Sequence, residues 1–388
     1  MQIAFRPKLL DCLPTYNRAQ FGKDLASGIT VGVLALPLAM AFAIASGCSP
    51  TAGIWTAIVA GFITAAFGGS RVQIGGPTGA FIPIVYGIVA VQGFGNLMGA
   101  TMLAGIFLLA MGLARMGQLI RFIPLTVVIG FTNGIAVVIF LAQIKDFFGL
   151  QIESLPAEFF ARIKVLAANA HTVDWPTLAL AVCCFLFLLS YNRLALRISL
   201  LRRAPGPLAV LVVGTLVSYF FELPVETIGS RFNGIPQELP NFGLPAVSIH
   251  DIGKLISPAI TIALLGAIES LLSARVADGQ IDDRHDPNQE LVAQGLSNIA
   301  APLFGGFAAT GAIARTTTNV KTGGRTPIAG IIHALVLLGI VLIAAPLASF
   351  VPLATLSAIV MVVAINMGDW HEFLELRRYT YNYRIILL

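Results

Sequence analysis

The sequence predicts an all-α polytopic membrane protein whose two halves form an inverted repeat. Its 388 residues are 57% hydrophobic and only 11% charged, whereas soluble globular domains carry about 25% charged residues. Long apolar runs recur along the whole chain. Two glycine-rich interruptions with similar sequences lie at corresponding places in the two halves. Paired interruptions of this kind are typical of transporter binding sites.

Apolar runs of the length that a membrane helix requires occur throughout the chain. A spanning helix needs about 20 predominantly apolar residues. The predicted spans are residues 25–46, 51–67, 77–92, 96–114, 122–145, 175–191, 205–221, 255–275, 288–303, 311–320, 327–346 and 350–367. The spans that begin after Pro77 and after Thr310 are too short to cross a bilayer alone, so we expect them to be half-helices.

The two interruptions have the same layout. The first runs Phe67-Gly-Gly-Ser-Arg-Val-Gln-Ile-Gly-Gly-Pro77-Thr-Gly-Ala80, and the second runs Phe304-Gly-Gly-Phe-Ala-Ala-Thr310-Gly-Ala-Ile-Ala-Arg315. Irregular backbone is tolerated at membrane depth only where it is buried in protein or lines a cavity. We therefore expect residues 72–76 and 306–310 to be short extended segments at the centre of the protein.

The placement of Lys and Arg predicts the orientation and the two repeats. Basic residues precede the first span and follow the fourth, sixth, tenth and twelfth spans, which places the N-terminus in the cytoplasm by the positive-inside rule. The predicted regions are a cytoplasmic segment (1–24), a first repeat of seven spans (25–221), an outer connection (222–252) and a second repeat (253–388). Because seven spans precede the connection, the second repeat is inverted. A thirteenth span is expected to begin at Ile385, so we expect the chain to be part of a longer protein.

Glu269 is a carboxyl group in the middle of a predicted span. A charge at the bilayer centre costs about 2.5–3.5 kcal/mol on insertion scales, so such a residue usually faces a cavity and has a function. Ser270 is its neighbour, and Ser273 shares its face of the helix. These groups suit either a proton or a sodium ion, and the sequence leaves that choice open. The alternative is a neutral carboxyl that donates to a backbone carbonyl.

The two half-helices would direct their N-termini toward one place. Backbone N–H groups at Gly79 and Ala80, and at Gly311 and Ala312, would be left unpaired, and each helix end carries roughly half a positive charge. Arg315 adds a full charge, so the arrangement predicts an anion site. The alternative for Arg315 is that it only neutralises Glu269.

Other chemistry is not supported by the sequence. The four cysteines and five histidines show no metal-ligand spacing, and neither interruption contains a phosphate-binding GxxxxGK motif. We expect no cofactor, no nucleic-acid partner and no enzymatic activity, because no nucleophile–base or metal constellation is present.

Several motifs resemble the sulfate permease (SulP) family of anion transporters. They are residues 36–47, 75–80, 265–272, 288–299, 304–316 and 323–330. The resemblance implies a seven-plus-seven inverted repeat shared with uracil transporters, divided into a core domain, made of the first four spans of each half, and a gate domain. It also implies a homodimer, and a cytosolic STAS domain after the last span that is expected to follow this sequence.

The resemblance assigns roles to individual residues. Phe42, Thr78, Ala314 and Arg315 match substrate-lining positions, and Glu269 matches an acidic coupling position. Sodium-coupled bicarbonate members have Asp at that position, so Glu favours a proton. Many sulfate-carrying members have Gln where this chain has Leu38, which argues against sulfate.

Residues 112–115, 143–149 and 267–270 resemble bacterial members that carry C4-dicarboxylates. The prediction is therefore a proton-coupled uptake system for fumarate or succinate in the bacterial inner membrane, working by alternating access. The alternatives are a bicarbonate or sulfate transporter coupled to sodium or protons, and a passive anion channel. A nucleobase symporter is disfavoured, because it needs no Arg beside a helix N-terminus.

Overall fold

The computed structural model describes residues 6–118, 125–153, 155–197, 205–240, 242–245, 252–368 and 370–371. Helices make up most of this part of the chain. They are α1 (Lys8–Cys12), α2 (Arg18–Ala45), α3 (Pro50–Phe67), α4 (Ile82–Leu113), α5 (Leu125–Phe148), α6 (Phe159–Ala168), α7 (Trp175–Arg197), α8 (Gly206–Phe220), α9 (Ile228–Phe232), α10 (Ile252–Ile281), α11 (Pro287–Leu303), α12 (Ile313–Lys321), α13 (Ile328–Ala348) and α14 (Leu353–Met367). Two short strands, β1 (Gly75–Gly76) and β2 (Thr310–Gly311), complete the fold. The predicted span start at Ile385 lies outside the described residues.

The long helices coincide with the predicted spans. Among the described residues, five segments are long and apolar enough to cross a membrane: Arg18–Ala45, Pro50–Phe67, Gly79–Leu113, Gly253–Ile281 and Ile328–Ala348. Three shorter apolar helices cover Trp175–Tyr191, Gly206–Phe220 and Leu353–Met367. The polytopic, all-helical architecture predicted from the apolar runs is therefore confirmed.

Helix α4 joins two predicted spans, 77–92 and 96–114. A kink divides α4 at Gly93, whose backbone is non-helical with φ 82° and ψ 169°. A residue with a side chain rarely adopts that conformation, so glycine permits the break at this point. The first half-helix therefore ends near Gly93, and the following span continues from it.

Helix α6 was not predicted from the sequence, and neither were the five-residue helices α1 and α9. Helix α6 begins after Glu158, whose carboxylate accepts hydrogen bonds from the backbone N–H groups of Phe160 (3.1 Å) and Ala161 (2.7 Å). A side chain that satisfies the first N–H groups of a helix stabilises its start. The large apolar side chain of Phe160 is exposed.

The chain divides into two compact units. The first comprises residues 1–120 and 234–348, and the second comprises residues 121–233 and 349–388. The first unit contains α1 and the first four predicted spans of each half, which lie in α2–α4 and α10–α13, as the resemblance implies for a core domain. The second unit corresponds to the gate domain. The proposed repeat boundaries at 221, 252 and 253 remain a prediction.

In the first unit, helices from the two halves pack directly on each other. Helix α4 packs against α10 and α11, while α13 packs against α2 and α3. A Cβ atom at Gly105 of α4 would lie 2.8 Å from the carbonyl oxygen of Gly295 in α11. Small residues allow helix backbones to approach this closely in membranes. The two halves therefore share one core.

The second unit is held partly by a short backbone pairing. Thr227 pairs with Pro352, and the backbone N–H of Ile228 donates to the carbonyl of Val351 at 2.9 Å. In α9, Arg231 forms ion pairs with Asp146 (2.8 Å) and with Glu226. Burial alone would lower the pKa of Arg231, but the charges of these two carboxylates raise it above its ordinary value.

Candidate anion-binding site

The two interruptions meet in an antiparallel pair of strands inside the first unit. Gly75 pairs with Gly311, and Gly76 pairs with Thr310. The backbone N–H of Ala312 extends the pairing by donating to the carbonyl of Ile74 at 2.8 Å. The expected short extended segments are confirmed, but each strand has only two residues, and β2 ends at Gly311, one residue beyond the expected 306–310.

Side chains take the place of strand partners at Phe307 and Ala309 of the second interruption. Asn298 of α11 holds Ala309 twice, accepting from its N–H at 2.9 Å and donating to its carbonyl at 2.8 Å. The hydroxyl of Thr56 in α3 accepts from the N–H of Phe307 at 2.8 Å. Buried backbone groups need such partners, and here side chains supply them.

The first interruption is held in the same way from the second half. The hydroxyl of Thr316 accepts from the N–H of Ile74 at 3.0 Å, and the Asn319 amide donates to the carbonyl of Val72 at 2.8 Å. Ser27 of α2 in turn donates to Asn319 at 2.7 Å. One face of α12 therefore fixes the position of the first interruption.

Each strand leads into the N-terminus of a helix that no side chain caps. After β1, a turn of 3₁₀ helix at Gly79–Phe81 precedes α4, and after β2, Ala312 precedes α12. The first N–H groups of a helix have no partner within the helix, and they give that end a partial positive charge. The fold therefore directs two positive helix ends into one buried region.

Arg315 links these two helix ends. Its side chain is 1% exposed. Its Nη2 atom donates a hydrogen bond to the carbonyl oxygen of Pro77. Its Nη1 atom has no hydrogen-bond partner in the part of the chain that the structure describes. A buried cation with an unused donor is suited to bind an anion.

Gly76 makes room for that guanidinium. Its φ is +144°, and a Cβ atom there would lie 2.7 Å from Nη1 of Arg315. A side chain at this position would collide with the arginine.

The other predicted substrate residues lie in different environments. Thr78 is 9% exposed, and its hydroxyl has no partner among the described residues. Gly79, Ala80, Gly311 and Ala312 are buried along the two helix starts, and Phe42 is buried in α2. Ala314 is exposed, unlike its neighbour Arg315. The structure thus brings Arg315 next to Pro77 and Thr78, while their roles in binding remain predictions.

Glu269 lies buried in α10, at 7% exposure. Within the described residues its carboxyl group has no hydrogen-bond or ion-pair partner. Neither of the alternatives expected from the sequence is found in this part of the chain: Glu269 does not donate to a backbone carbonyl, and it does not pair with Arg315. The Arg315 side chain contacts Pro77 instead.

Ser270 and Ser273 attach α10 to the second interruption. The Ser270 hydroxyl lies 2.6 Å from the Thr310 hydroxyl, donates to the carbonyl of Gly266 at 2.6 Å, and accepts from the N–H of Gly311 at 3.3 Å. Ser273 donates to Thr316 at 3.4 Å. Both hydroxyls therefore have structural partners, and their proposed part in ion coupling remains a prediction.

Sequence reasoning missed the polar face of α11. Glu290, Gln294 and Asn298 are fully buried and follow one another at intervals of four residues. That spacing places them on one face of a helix, so the pattern could have been found in the sequence. In the described ranges, no group of three or more His, Cys, Asp or Glu residues could hold a metal ion.

A family model described as the sulfate permease family matches residues 21–388. The chain belongs to the sulfate permease family. The resemblance noted in the motifs is thereby confirmed, and the core-and-gate fold agrees with it. The family and its structural neighbours are transporters rather than enzymes.

Individual relatives refine the comparison. The chain is 44% identical over 364 residues to the protein named "Putative sulfate transporter YvdB" of Bacillus subtilis (strain 168), covering 94% of this chain and 68% of that one. It is 34% identical over 365 residues to "Bicarbonate transporter BicA" of Synechocystis sp. (strain ATCC 27184 / PCC 6803 / Kazusa), covering 89% of this chain and 61% of the relative. The chain thus spans about two thirds of the length of these relatives.

Solved structures share the fold. The transmembrane domain of a cyanobacterial bicarbonate transporter, BicA, matches with a TM-score of 0.87 at 32% identity, covering 96% of this chain and 94% of that one. The overall structure of SLC26A9 matches with a TM-score of 0.85 at 19% identity, covering 98% of this chain and 63% of that one. The second similarity concerns the fold alone.

Proposed function

We propose that this chain is the membrane domain of a secondary active transporter that moves a small oxyanion by alternating access. The observation that carries the proposal is the buried guanidinium of Arg315, which bridges to Pro77 and keeps Nη1 unpaired between two uncapped helix starts. Phe42, Thr78 and the backbone at Gly79, Ala80, Gly311, Ala312 and Ala314 would complete the site.

Bicarbonate and sulfate are the first substrates to test. The named functions of the relatives, sulfate or bicarbonate transport, favour them over the C4-dicarboxylates predicted from short motifs. Leu38 in place of Gln still argues against sulfate. A C4-dicarboxylate such as fumarate or succinate therefore becomes the second candidate class.

Glu269 would couple transport to a cation. It precedes Ser270, whose hydroxyl contacts Thr310 of β2, so α10 connects the carboxyl group to the second half-helix. The guanidinium and two helix ends supply roughly two positive charges. A protonated Glu269 would leave that charge for a dianion such as sulfate. An ionised Glu269 would suit a monoanion such as bicarbonate, with sodium as the coupling ion and Ser270 and Ser273 as candidate oxygen ligands.

We also propose a membrane location, an orientation and an oligomeric state for the protein. The distribution of Lys and Arg favours a cytoplasmic N-terminus, and the bacterial relatives favour the inner membrane. By analogy with the family, the protein would work as a homodimer, with the core unit moving relative to the gate unit. Neither a cofactor nor a nucleic acid is required.

Uptake into proteoliposomes tests the function. Labelled bicarbonate, sulfate, fumarate, succinate and uracil would be compared at varied pH and sodium concentration. We expect Arg315→Gln to reduce oxyanion uptake at least tenfold, because a hydrogen bond to a charged group contributes about 1.5–3 kcal/mol. Lys321→Gln, an exposed change at the end of the same helix, is the matched control.

Two outcomes would contradict the proposal. Uptake of uracil without uptake of any anion would point to nucleobase transport. Single-channel currents, or a flux too fast for a conformational cycle, would indicate a passive anion channel.

A further inference from the structure

Glu290 is a fully buried carboxylate on the polar face of α11. Its Oε2 atom accepts from the backbone N–H groups of Gly69 (3.0 Å) and Ser70 (3.2 Å). Its Oε1 atom accepts from the side-chain amides of Gln73 (2.9 Å) and Gln294 (3.0 Å). It forms no salt bridge with any described residue, although His285 lies close enough to interact with it electrostatically. Four N–H donors facing one carboxyl group suit its ionised form, which only accepts hydrogen bonds.

These bonds hold the start of the first interruption. The carbonyl of Gly69 accepts from the N–H of Asp286 at 3.0 Å, so this peptide segment is bound from both sides. A Cβ atom at Gly69 would lie 2.0 Å from the carbonyl oxygen of Asp286. The backbone of the first half is therefore pressed against the N-terminus of a helix from the second half.

Gln73 extends the network to the second interruption. The amide that donates to Glu290 also donates to the carbonyl of Ser270 at 3.1 Å. A Cβ atom at Gly311 would lie 2.1 Å from Nε2 of Gln73, so this amide also lies against β2. Ser270 in turn contacts Thr310. One chain of contacts thus joins Glu290, the first interruption, α10 and β2.

We propose that Glu290 is a positioning residue that sets the spacing of the two half-helix starts and of the helix that carries Glu269. It acts through the backbone of Gly69 and Ser70 and through Gln73, without contacting the anion. This inference rests on the proposed anion transport. None of these contacts involves Arg315, so the role of Glu290 is separable from charge recognition.

Glu290→Gln is the direct test, because it keeps the side-chain size but replaces one acceptor oxygen with a donor. The new amide would face either the N–H groups of Gly69 and Ser70 or the amides of Gln73 and Gln294. We expect the KM for the transported oxyanion to rise at least tenfold, with the amount of folded protein accounted for. A purely structural defect would lower the maximal rate through loss of folded protein and leave KM unchanged.

Asn288→Ala is the matched control on the same helix. The amide oxygen of Asn288 accepts a hydrogen bond from the backbone N–H of Gly117 at 3.0 Å, away from both interruptions. This change should lower the melting temperature and leave KM within twofold of the wild type. Gln73→Met covers the case in which Glu290→Gln fails to fold, because it removes the connecting amide but keeps the other three bonds of Glu290. We expect Gln73→Met to raise KM severalfold.

Hydrogen–deuterium exchange separates this inference from the proposed function. In Glu290→Gln, or in Gln73→Met if the former does not fold, peptides that cover residues 68–76 and 309–312 should exchange at least tenfold faster than in the wild type. The same peptides should be unchanged in Asn288→Ala. If the wild type moves no oxyanion, the proposed function fails while the exchange result still decides the positioning role. Unchanged exchange in these peptides, or an unchanged KM in a transporting protein, would overturn the inference.

Discussion

The guanidinium of Arg315 donates a hydrogen bond to the carbonyl oxygen of Pro77, a residue 238 positions earlier in the chain. The bond connects the second half-helix to the backbone that opens the first. It occupies Nη2 and leaves Nη1 without a partner among the described residues. Arg315 is therefore held in place by the protein while it retains a donor for a ligand.

Thr78→Val should separate substrate binding from stability. The Thr78 hydroxyl is nearly buried and has no partner in the described structure, so valine should leave the melting temperature unchanged or higher. The KM for the oxyanion should rise about fivefold, because a hydrogen bond contributes about 1 kcal/mol. Transport kinetics and thermal melting of the purified protein check both expectations. A fall in stability with an unchanged KM would assign the hydroxyl a structural role.

Gly76→Ala should abolish transport, because the new methyl group would meet Nη1 of Arg315 at 2.7 Å and the backbone φ of +144° disfavours any side chain. Backbone strain of this kind costs about 1–3 kcal/mol. Gly87→Ala in α4 is the control, since a Cβ atom there meets nothing within 4 Å. The control should be neutral or stabilising by about 0.5–1 kcal/mol. Equal uptake by the two variants would show that Arg315 tolerates displacement.

Glu269→Gln should remove cation-driven accumulation and preserve exchange of the anion down its gradient. The expected cause is the loss of a buried ionisable group that lies without a partner in the described chain. Proteoliposomes under separately imposed proton and sodium gradients provide the measurement. Ser273→Ala distinguishes the ions, because the loss of a hydroxyl should weaken sodium dependence and spare proton dependence. Undiminished accumulation in Glu269→Gln would rule out its coupling role.

We expect ionisation of Tyr16 to lower the stability of the protein at alkaline pH. Its hydroxyl donates to Asp24 at 3.2 Å, and burial followed by the charge of Asp24 raises the pKa of Tyr16 to about 12. In the unfolded chain, the tyrosine hydroxyl ionises near pH 10. The contribution of Tyr16 is therefore complete below about pH 10 and is lost as the pH rises toward 12.

The variant Tyr16→Phe lacks this contribution. The melting temperature of the wild type minus that of Tyr16→Phe should be positive and constant up to about pH 10, and it should then decline. Thermal melts at pH 8, 10, 11 and 12 measure the difference. A constant difference through pH 12 would contradict the raised pKa.

Patterns local in sequence predicted most of the fold. Apolar runs long enough to span a bilayer marked the helices, and the glycine-rich stretches after Phe67 and Phe304 marked the two interruptions. Both signals arise within a few neighbouring residues, since lipid requires each spanning segment to satisfy its own backbone. Helix α6 was not predicted because it is short and its start depends on capping by Glu158.

The partners of the buried polar groups could not be predicted in this way. From the sequence, one alternative for Arg315 was an ion pair with Glu269, because buried charges are usually paired. The structure instead places Arg315 against Pro77, and Glu290 receives donors from residues about 220 positions away. These choices depend on which backbone groups are left unpaired after the helices pack.

The sequence by itself determined that the protein is a polytopic membrane protein with two half-helices, and which residues carry charge within the spans. Only the tertiary structure decided that the interruptions pair as Gly75 with Gly311, that Arg315 keeps one donor unused, and that α11 holds the first interruption. The physical reason is that hydropathy and helix breaking act over short stretches of chain. The pairing of a buried polar group depends on whichever distant backbone the folded core brings within hydrogen-bonding distance.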